Sequence, residues 1–228
     1  MGKHRFEITL TLLEALENRR FDQNLVASLH DLVGQGFETE FDFLDALQGL
    51  STPPSTDIET ATLLRSADRI FQEAVALFEK AYHRHMRGNL PEAIRLYNRS
   101  IGIFPTAEAH TFLGWAYSFS NNYSRAIAEC EKAILLDVEY GNPYNDIGSY
   151  LIAQSRFEEA IPWLEKALSA RRYSARHYAW ANLGRAHEAI GDRDSALRHF
   201  MKALELEPEY DIAKLAIERL CGPAERLN

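Results

Sequence analysis

Histidines are the first side chains to test for chemistry in this sequence, because paired imidazoles can ligate a metal or carry a proton. His83 and His85 lie two residues apart. Within a helix that spacing sends them to different faces, so one ion cannot take both. With Arg84 and Arg87 beside them, they read instead as the basic last turn of a helix, where positive charge suits the dipole. His177, His187 and His199 have no carboxylate at a spacing that fixes a partner, which leaves acid–base catalysis without a warrant. His187 reads as a satisfied, half-buried histidine. Arg171, Arg172 and Arg176 lie close to an expected helix end. Two readings stay open for them, the same dipole effect in a solvated turn and a contact to phosphate or an acidic peptide. Cys130 and Cys221 are the only cysteines, too few for a disulfide framework and without metal-ligand spacing, so both read as reduced and structural. No glycine-rich phosphate loop, nucleophile elbow or His-Glu-x-x-His motif occurs. The expectation is a chain with no catalytic residue, no metal and no cofactor.

Composition narrows the partners. With 33 acidic residues against 25 basic ones and a net charge of −8, the chain repels a phosphate backbone unless a basic patch overrides it, and no such patch is present. No apolar run approaches the roughly 20 residues of a membrane-spanning helix, and Met1 to Leu10 lack a secretory pattern. The expectation is a cytoplasmic protein that binds neither nucleic acid nor membrane. At 228 residues and 46% hydrophobic content, it can bury its own core.

The elements that must position any binding residue follow from an internal repeat. Ala93, Ala126, Ala160 and Ala196 each follow a polar turn, and subtraction of their numbers gives spacings of 33, 34 and 36. A period of that length is a two-helix unit. Twelve residues before each alanine stands a small residue (Ala81, Gly114, Gly148, Gly184), and seven after it another (Ser100, Ala133, Ala167, Ala203). Bulky apolar residues at helical spacing, such as Leu113 with Tyr117 and Ile147 with Leu151, supply the stripe each helix buries. A glycine inside a helix costs about 1 kcal/mol relative to alanine, so three at one repeat position imply close packing that compensates.

This pattern resembles the tetratricopeptide repeat family. The last repeat carries Trp180, Leu183, Gly184, His187, Ala196, Phe200, Ala203 and Pro208 at the family's signature offsets, with His187 in place of its tyrosine. The second and third repeats keep the helix signature, with Cys130 and Leu164 in the slot of Phe200, but hold Val138 and Arg172 where the closing proline belongs. The first departs most, with Lys80 and Arg84 at the leucine and tyrosine positions. The resemblance implies an all-α, right-handed helical-repeat solenoid of about four helix pairs, with repeats near 74–106, 107–140, 141–174 and 177–210. A capping helix is expected at 211–221, burying Ile212, Leu215, Ala216 and Leu220 and stopping at Gly222-Pro223.

The N-terminal third does not repeat. Apolar spacing suggests short helices over Phe6–Glu17, Asp22–Val33 and Thr39–Leu50, giving an N-terminal region of 1–54 ahead of a repeat domain of 55–228. Ser51-Thr52-Pro53-Pro54 breaks the chain, and Thr56 with Glu59 opens a helix that runs to about His85.

The resemblance also implies where a ligand sits, since the first helix of each repeat lines the family's concave face. The partner-binding residues expected from those positions are Phe78, Tyr82, Trp115, Phe119, Asn145, Tyr178 and Arg185. The aromatics among them are not needed by the signature, and apolar surface in a groove marks a binding site. Asn145 offers both a donor and an acceptor to peptide backbone; Asn142, just before Pro143, reads as a helix N-cap. An alternative sends some aromatics against the N-terminal helices. Family members that hold carboxylate-ended tails use a clamp of lysine, asparagine and arginine. The matching positions here are Phe78, Tyr82, Phe112, Asn142 and Asp146, so such tails are not expected to bind. The leading reading is a non-enzymatic scaffold or adaptor that holds another protein; the alternative is a homo-oligomer paired through the N-terminal helices or the groove.

Overall fold

The structure is a computed structural model that describes residues 6–7, 36–37 and 57–222, with side-chain surroundings from residue 69 onward. Nine helices are described: α1 (Asp57–Met86), α2 (Leu90–Ile103), α3 (Ala107–Ser118), α4 (Tyr123–Leu136), α5 (Asn142–Ala153), α6 (Phe157–Ser169), α7 (Arg176–Ala189), α8 (Arg193–Leu206) and α9 (Asp211–Cys221). The exception to helix is a two-residue antiparallel pair, β1 (Phe6–Glu7) against β2 (Gly36–Phe37). That corrects the helix expected from Phe6. Phe6, Ile8, Leu10 and Leu12 alternate with Glu7, Thr9 and Thr11, which is the period of a strand. The remainder of that expected helix, and those over 22–33 and 39–50, lie outside the described residues.

By contacts the chain divides into two compact units, one comprising Met1–His83 with Arg95–Pro105 and the other Arg84–Ile94 with Thr106–Asn228. In the first unit, Ala74, Leu77 and Ala81 of α1 are buried, as are Leu96, Tyr97 and Ser100 of α2. Ser100 Oγ donates to Ala74 O at 2.7 Å. Phe71 meets Phe104 edge-on, with ring centroids 5.2 Å apart.

The second unit is a stack of helix pairs, α3/α4, α5/α6 and α7/α8, closed by α9. Its turns share one geometry. The chain leaves α1 at Gly88, α3 at Asn121, α5 at Ser155 and α7 at Gly191, with φ of 77°, 54°, 60° and 85°. In each turn the left-handed residue and its successor donate back to the finished helix. After α7, Gly191 N–H reaches Glu188 O at 3.1 Å and Asp192 N–H reaches His187 O at 2.9 Å. The successor then caps the next helix: Asn122 accepts from Arg125 N–H and Asp192 from Ser195 N–H. Arg156 has no such side-chain acceptor, and α6 starts without a side-chain cap.

The small residues of the first helices face the bulky ones of the second. A Cβ on Gly148 would stand 2.5 Å from Leu164 Cδ2, one on Gly184 2.8 Å from the Phe200 ring, and one on Gly114 2.8 Å from Ala126 O. Cys130, Leu164 and Phe200 are fully buried, and burial pushes the Cys130 thiol well above its ordinary pKa. It fills the core as an inert apolar residue.

Where two repeats lack the closing proline, their loops lock to each other. Tyr140 and Arg172 form a parallel bridge, with Gly141 N–H donating to Arg172 O at 3.1 Å and Arg172 N–H to Glu139 O at 2.8 Å. The Arg172 guanidinium lies 5.2 Å above the Tyr140 ring and pairs with Glu108 at 2.6 Å and with Asp137. Neither the solvated turn nor the phosphate contact expected for Arg172 describes it. Arg176 does fit the helix-end reading, since it donates to Ala170 O at 2.9 Å at the end of α6.

The last helix differs from its expected orientation. Ala213 and Ala216 are buried, with Ile217 and Leu220 packed beside Phe200 and Ala203, whereas Ile212 and Leu215 are 53% and 61% exposed. The buried stripe runs 213, 216, 217, 220; it keeps Ala216 and Leu220 of the one read in the sequence and is turned by roughly 75° around the helix from it. Small residues decide it, because alanine lets α9 lie close to α8.

Candidate functional site

The first helices of the second unit, α3, α5 and α7, are neighbours in one layer. Each buries one stripe in the stack: Ala109, Leu113 and Ala116; Ile147, Gly148 and Leu151; and Ala179, Leu183 and Ala186, the last three clustering with residues of the preceding repeats. What remains open is a second stripe at helical spacing. On α3 it holds Glu108, Phe112, Trp115 and Phe119; on α5, Asn142, Asn145, Asp146 and Ser149; on α7, Tyr178, Asn182 and Arg185.

The α3 stripe is aromatic. Trp115 is half-buried, with the His85 ring 4.4 Å away and the Phe112 and Phe119 rings both at 5.7 Å. His85 is 4% exposed, and burial pulls its pKa below the ordinary value, so the neutral imidazole is favoured. The reading of His85 as one of the cations of a basic last turn is thereby corrected. Phe119 is 58% exposed. On α7, Tyr178 is 46% exposed and sits with His177 and Tyr210, centroids 4.1 and 5.6 Å away.

Between these aromatic groups runs a relay of amides. Arg185 Nη1 donates to Asn182 Oδ1 at 3.1 Å, Asn182 Nδ2 to Asn145 Oδ1 at 3.1 Å, and Asn145 Nδ2 to Asp146 Oδ1 at 3.3 Å. Burial raises the Asp146 carboxyl to about 7, against the Asn145 hydrogen bond that lowers it. Asn142 is the first residue of α5 rather than its cap. Gly141 precedes it, and no side chain caps that end.

Of the seven residues expected to bind a partner, Trp115, Phe119, Asn145, Tyr178 and Arg185 therefore lie on the open stripes of one layer. Phe78 and Tyr82 belong to α1 in the first unit. There Phe78 packs 5.7 Å from the fully buried Tyr97, and Tyr82 is 38% exposed. Sequence reasoning passed over Asn182 and Tyr210 as site residues and met Phe112 and Asp146 only as clamp positions. The spacing of Glu108, Phe112, Trp115 and Phe119 by four, three and four is the signal that marks the α3 stripe.

His187, read as lacking a fixed carboxylate, has Asp192 Oδ2 at 3.3 Å from Nδ1 and the His199 ring 4.9 Å away. The turn geometry brings that carboxylate back to the helix it follows. Among the described residues, no group of three or more His, Cys, Asp or Glu side chains could hold a metal, and no helix is long and apolar enough to cross a membrane.

Comparison with known proteins places this geometry. Residues 107–138 and 139–208 each match a family model described as tetratricopeptide repeat. Anaphase-promoting complex subunit 3 of Schizosaccharomyces pombe is 29% identical over 106 residues, 46% of this chain and 16% of that protein. The type IV pilus assembly protein PilF of Pseudomonas aeruginosa is 29% identical over 121 residues, 53% of this chain and 48% of PilF. The chain thus spans about half or less of the length of these curated relatives. A solved structure of PilF superposes with a TM-score of 0.63 at 26% identity, over 66% of this chain and 69% of that one. PilW, a type IV pilus biogenesis factor, shares the fold with a TM-score of 0.62 at 17% identity over 66% and 69% of the two chains.

Proposed function

Because this chain is a tetratricopeptide repeat protein, we propose that it works as a non-enzymatic scaffold or adaptor, holding a segment of a partner polypeptide against the open stripes of α3, α5 and α7. Tetratricopeptide repeats are in general protein-binding modules, and that much is the premise. The observation that carries the finer reading is the aromatic surface that the repeat core leaves uncovered, with Phe119 58% and Tyr178 46% exposed. Burying one such ring contributes about 1.5–3 kcal/mol, and tyrosine and tryptophan are favoured anchors of interfaces. Asn145, Asn182 and Arg185 beside them supply the few polar groups that fix orientation. In the first unit, taken by itself, Phe78 and Tyr82 are proposed as partner contacts, with Tyr82 the more accessible of the two.

The test is capture from native lysate with mass spectrometry, comparing wild type with Phe119→Ser/Tyr178→Ser. Both residues are surface-exposed, so the double variant should keep its helical content and melting temperature. Proteins retained by wild type should be lost from the variant. An unchanged set of captured proteins would refute the reading. Pairing of two copies of the chain, the alternative use of the same surface, predicts instead a mass in light scattering that doubles with concentration in wild type and not in the double variant.

A further inference from the structure

Among the described residues, Asp146 is the acid of the layer that has no counter-ion. Within the layer Glu108 is paired with Arg172 at 2.6 Å and Glu188 with Arg219 at 2.7 Å, and on the neighbouring α4 Glu129 is paired with His110 and Lys132 at 2.6 and 2.7 Å. Asp146 has one neutral donor, the Asn145 amide at 3.3 Å, and no cation within pairing distance among the described residues. Arg185, the nearest basic residue along the relay, is held by Asn182 instead.

Its position compounds the imbalance. Asp146 is the single charge on the α5 stripe, between the neutral Asn142, Asn145 and Ser149. It lies close enough to Tyr140, Tyr150 and Tyr173 to oppose the ionisation of all three. A mostly covered carboxylate with a single amide donor is a costly group to keep, unless something that binds there completes its shell. A guanidinium or ammonium group would complete that shell, since it brings the missing opposite charge together with N–H donors.

We infer that Asp146 anchors a cationic side chain, a lysine or arginine, of the partner segment bound along α5, while Trp115 and Phe119 take its neighbouring apolar residue. The inference rests on the reading of these stripes as the binding face and names the chemistry that face selects. The chain has a net charge of −8, so a basic segment is also drawn to it at a distance.

The experiment uses the full chain with three probes, N-acetyl-arginine methylamide, its citrulline counterpart and N-acetyl-phenylalanine methylamide, followed by NMR at about pH 8, where Asp146 is ionised. Citrulline keeps the shape of arginine and removes the charge. The arginine compound should shift the side-chain amides of Asn145 and Asn182 saturably and bind about tenfold more tightly than the citrulline one. Asp146→Asn should reduce it to the citrulline level. Equal binding by the two compounds, or an arginine response undiminished in Asp146→Asn, would overturn the assignment. Shifts at Trp115 and Phe119 from the phenylalanine compound, with none at Asn145 from the arginine one, overturn the Asp146 assignment and leave the binding face standing. Silence from all three probes overturns both.

Discussion

Gly141→Ala adds one methyl group at the most closely approached glycine of the second unit. The new Cβ would stand 2.3 Å from Tyr173 Cβ, 2.5 Å from Tyr173 Cγ and 3.1 Å from Ala167 O. Carbon atoms pack at about 3.5–4.0 Å, so more than an ångström of separation must be found. The clash meets the root of Tyr173, not a flexible tip, and Tyr173 is 3% exposed within a cluster of Tyr144, Ala167, Ala170 and Ala179. Relief therefore requires moving the loop that carries it. That loop is held by the two bridge hydrogen bonds of Gly141 and Arg172, worth about 0.5–1.5 kcal/mol each. Overpacking itself costs about 1–3 kcal/mol. Together these give a destabilisation of about 2–6 kcal/mol. The control is Gly102→Ala in α2, where nothing lies within 4 Å of the added carbon; helix propensity alone predicts a gain approaching 1 kcal/mol. Urea unfolding followed by circular dichroism, compared at constant slope, reads both. A Gly141→Ala midpoint equal to wild type would refute the packing argument, because no rotamer change can absorb a contact at Cβ.

The remaining predictions use the same measurement. Ser155→Gly should stabilise by about 0.5–1 kcal/mol, since serine is held at φ 60° where glycine carries no steric penalty. Gly148→Leu should cost about 1–3 kcal/mol by overpacking against Leu164. Burial holds His85 below its ordinary 6.5, so its contribution is intact above that value and is lost as pH falls through it; His85→Phe should flatten the stability profile there. Asp146 has the opposite sign, because burial raises its carboxyl from 3.8 to about 7. Stability falls as pH rises between those values, and Asp146→Asn should be stabilising by about 1–3 kcal/mol at neutral pH and neutral in effect near pH 4, the linkage discounted for partial exposure. Identical pH profiles for variant and wild type would contradict this.

Repeats were legible because they restate one packing problem at a fixed period. Gly114, Gly148 and Gly184 announced close helix contacts, and each faces a bulky partner or backbone sixteen or fewer residues later. The polar turns ahead of Ala93, Ala126, Ala160 and Ala196 align in sequence as they do in backbone geometry, with Gly88, Asn121, Ser155 and Gly191 at the one left-handed position. What stayed hidden depends on neighbours from other repeats. Arg172 looked like a loop cation because its partners, Glu108 and Asp137, are 64 and 35 residues away. Tyr140 and Gly141 carried no sign of a bridge in place of the missing proline. The rotation of α9 turned on two alanines that a count of large apolar residues undervalues. Asp146 was visible as a residue type, but the absence of a counter-ion is a property of the assembled layer.

The Arg172 strap changes how the stack should come apart. Repeat stacks join neighbour to neighbour and open from their ends. Here one guanidinium at the close of the third repeat holds carboxylates at both the opening and the close of the second, so those two repeats share a fastening that their helix contacts do not supply. Amide exchange in native buffer should accordingly reveal one cooperative block over α3 to α6, with α9 opening first. Added salt, which weakens partly exposed ion pairs, should split that block into single repeats before the global transition moves far.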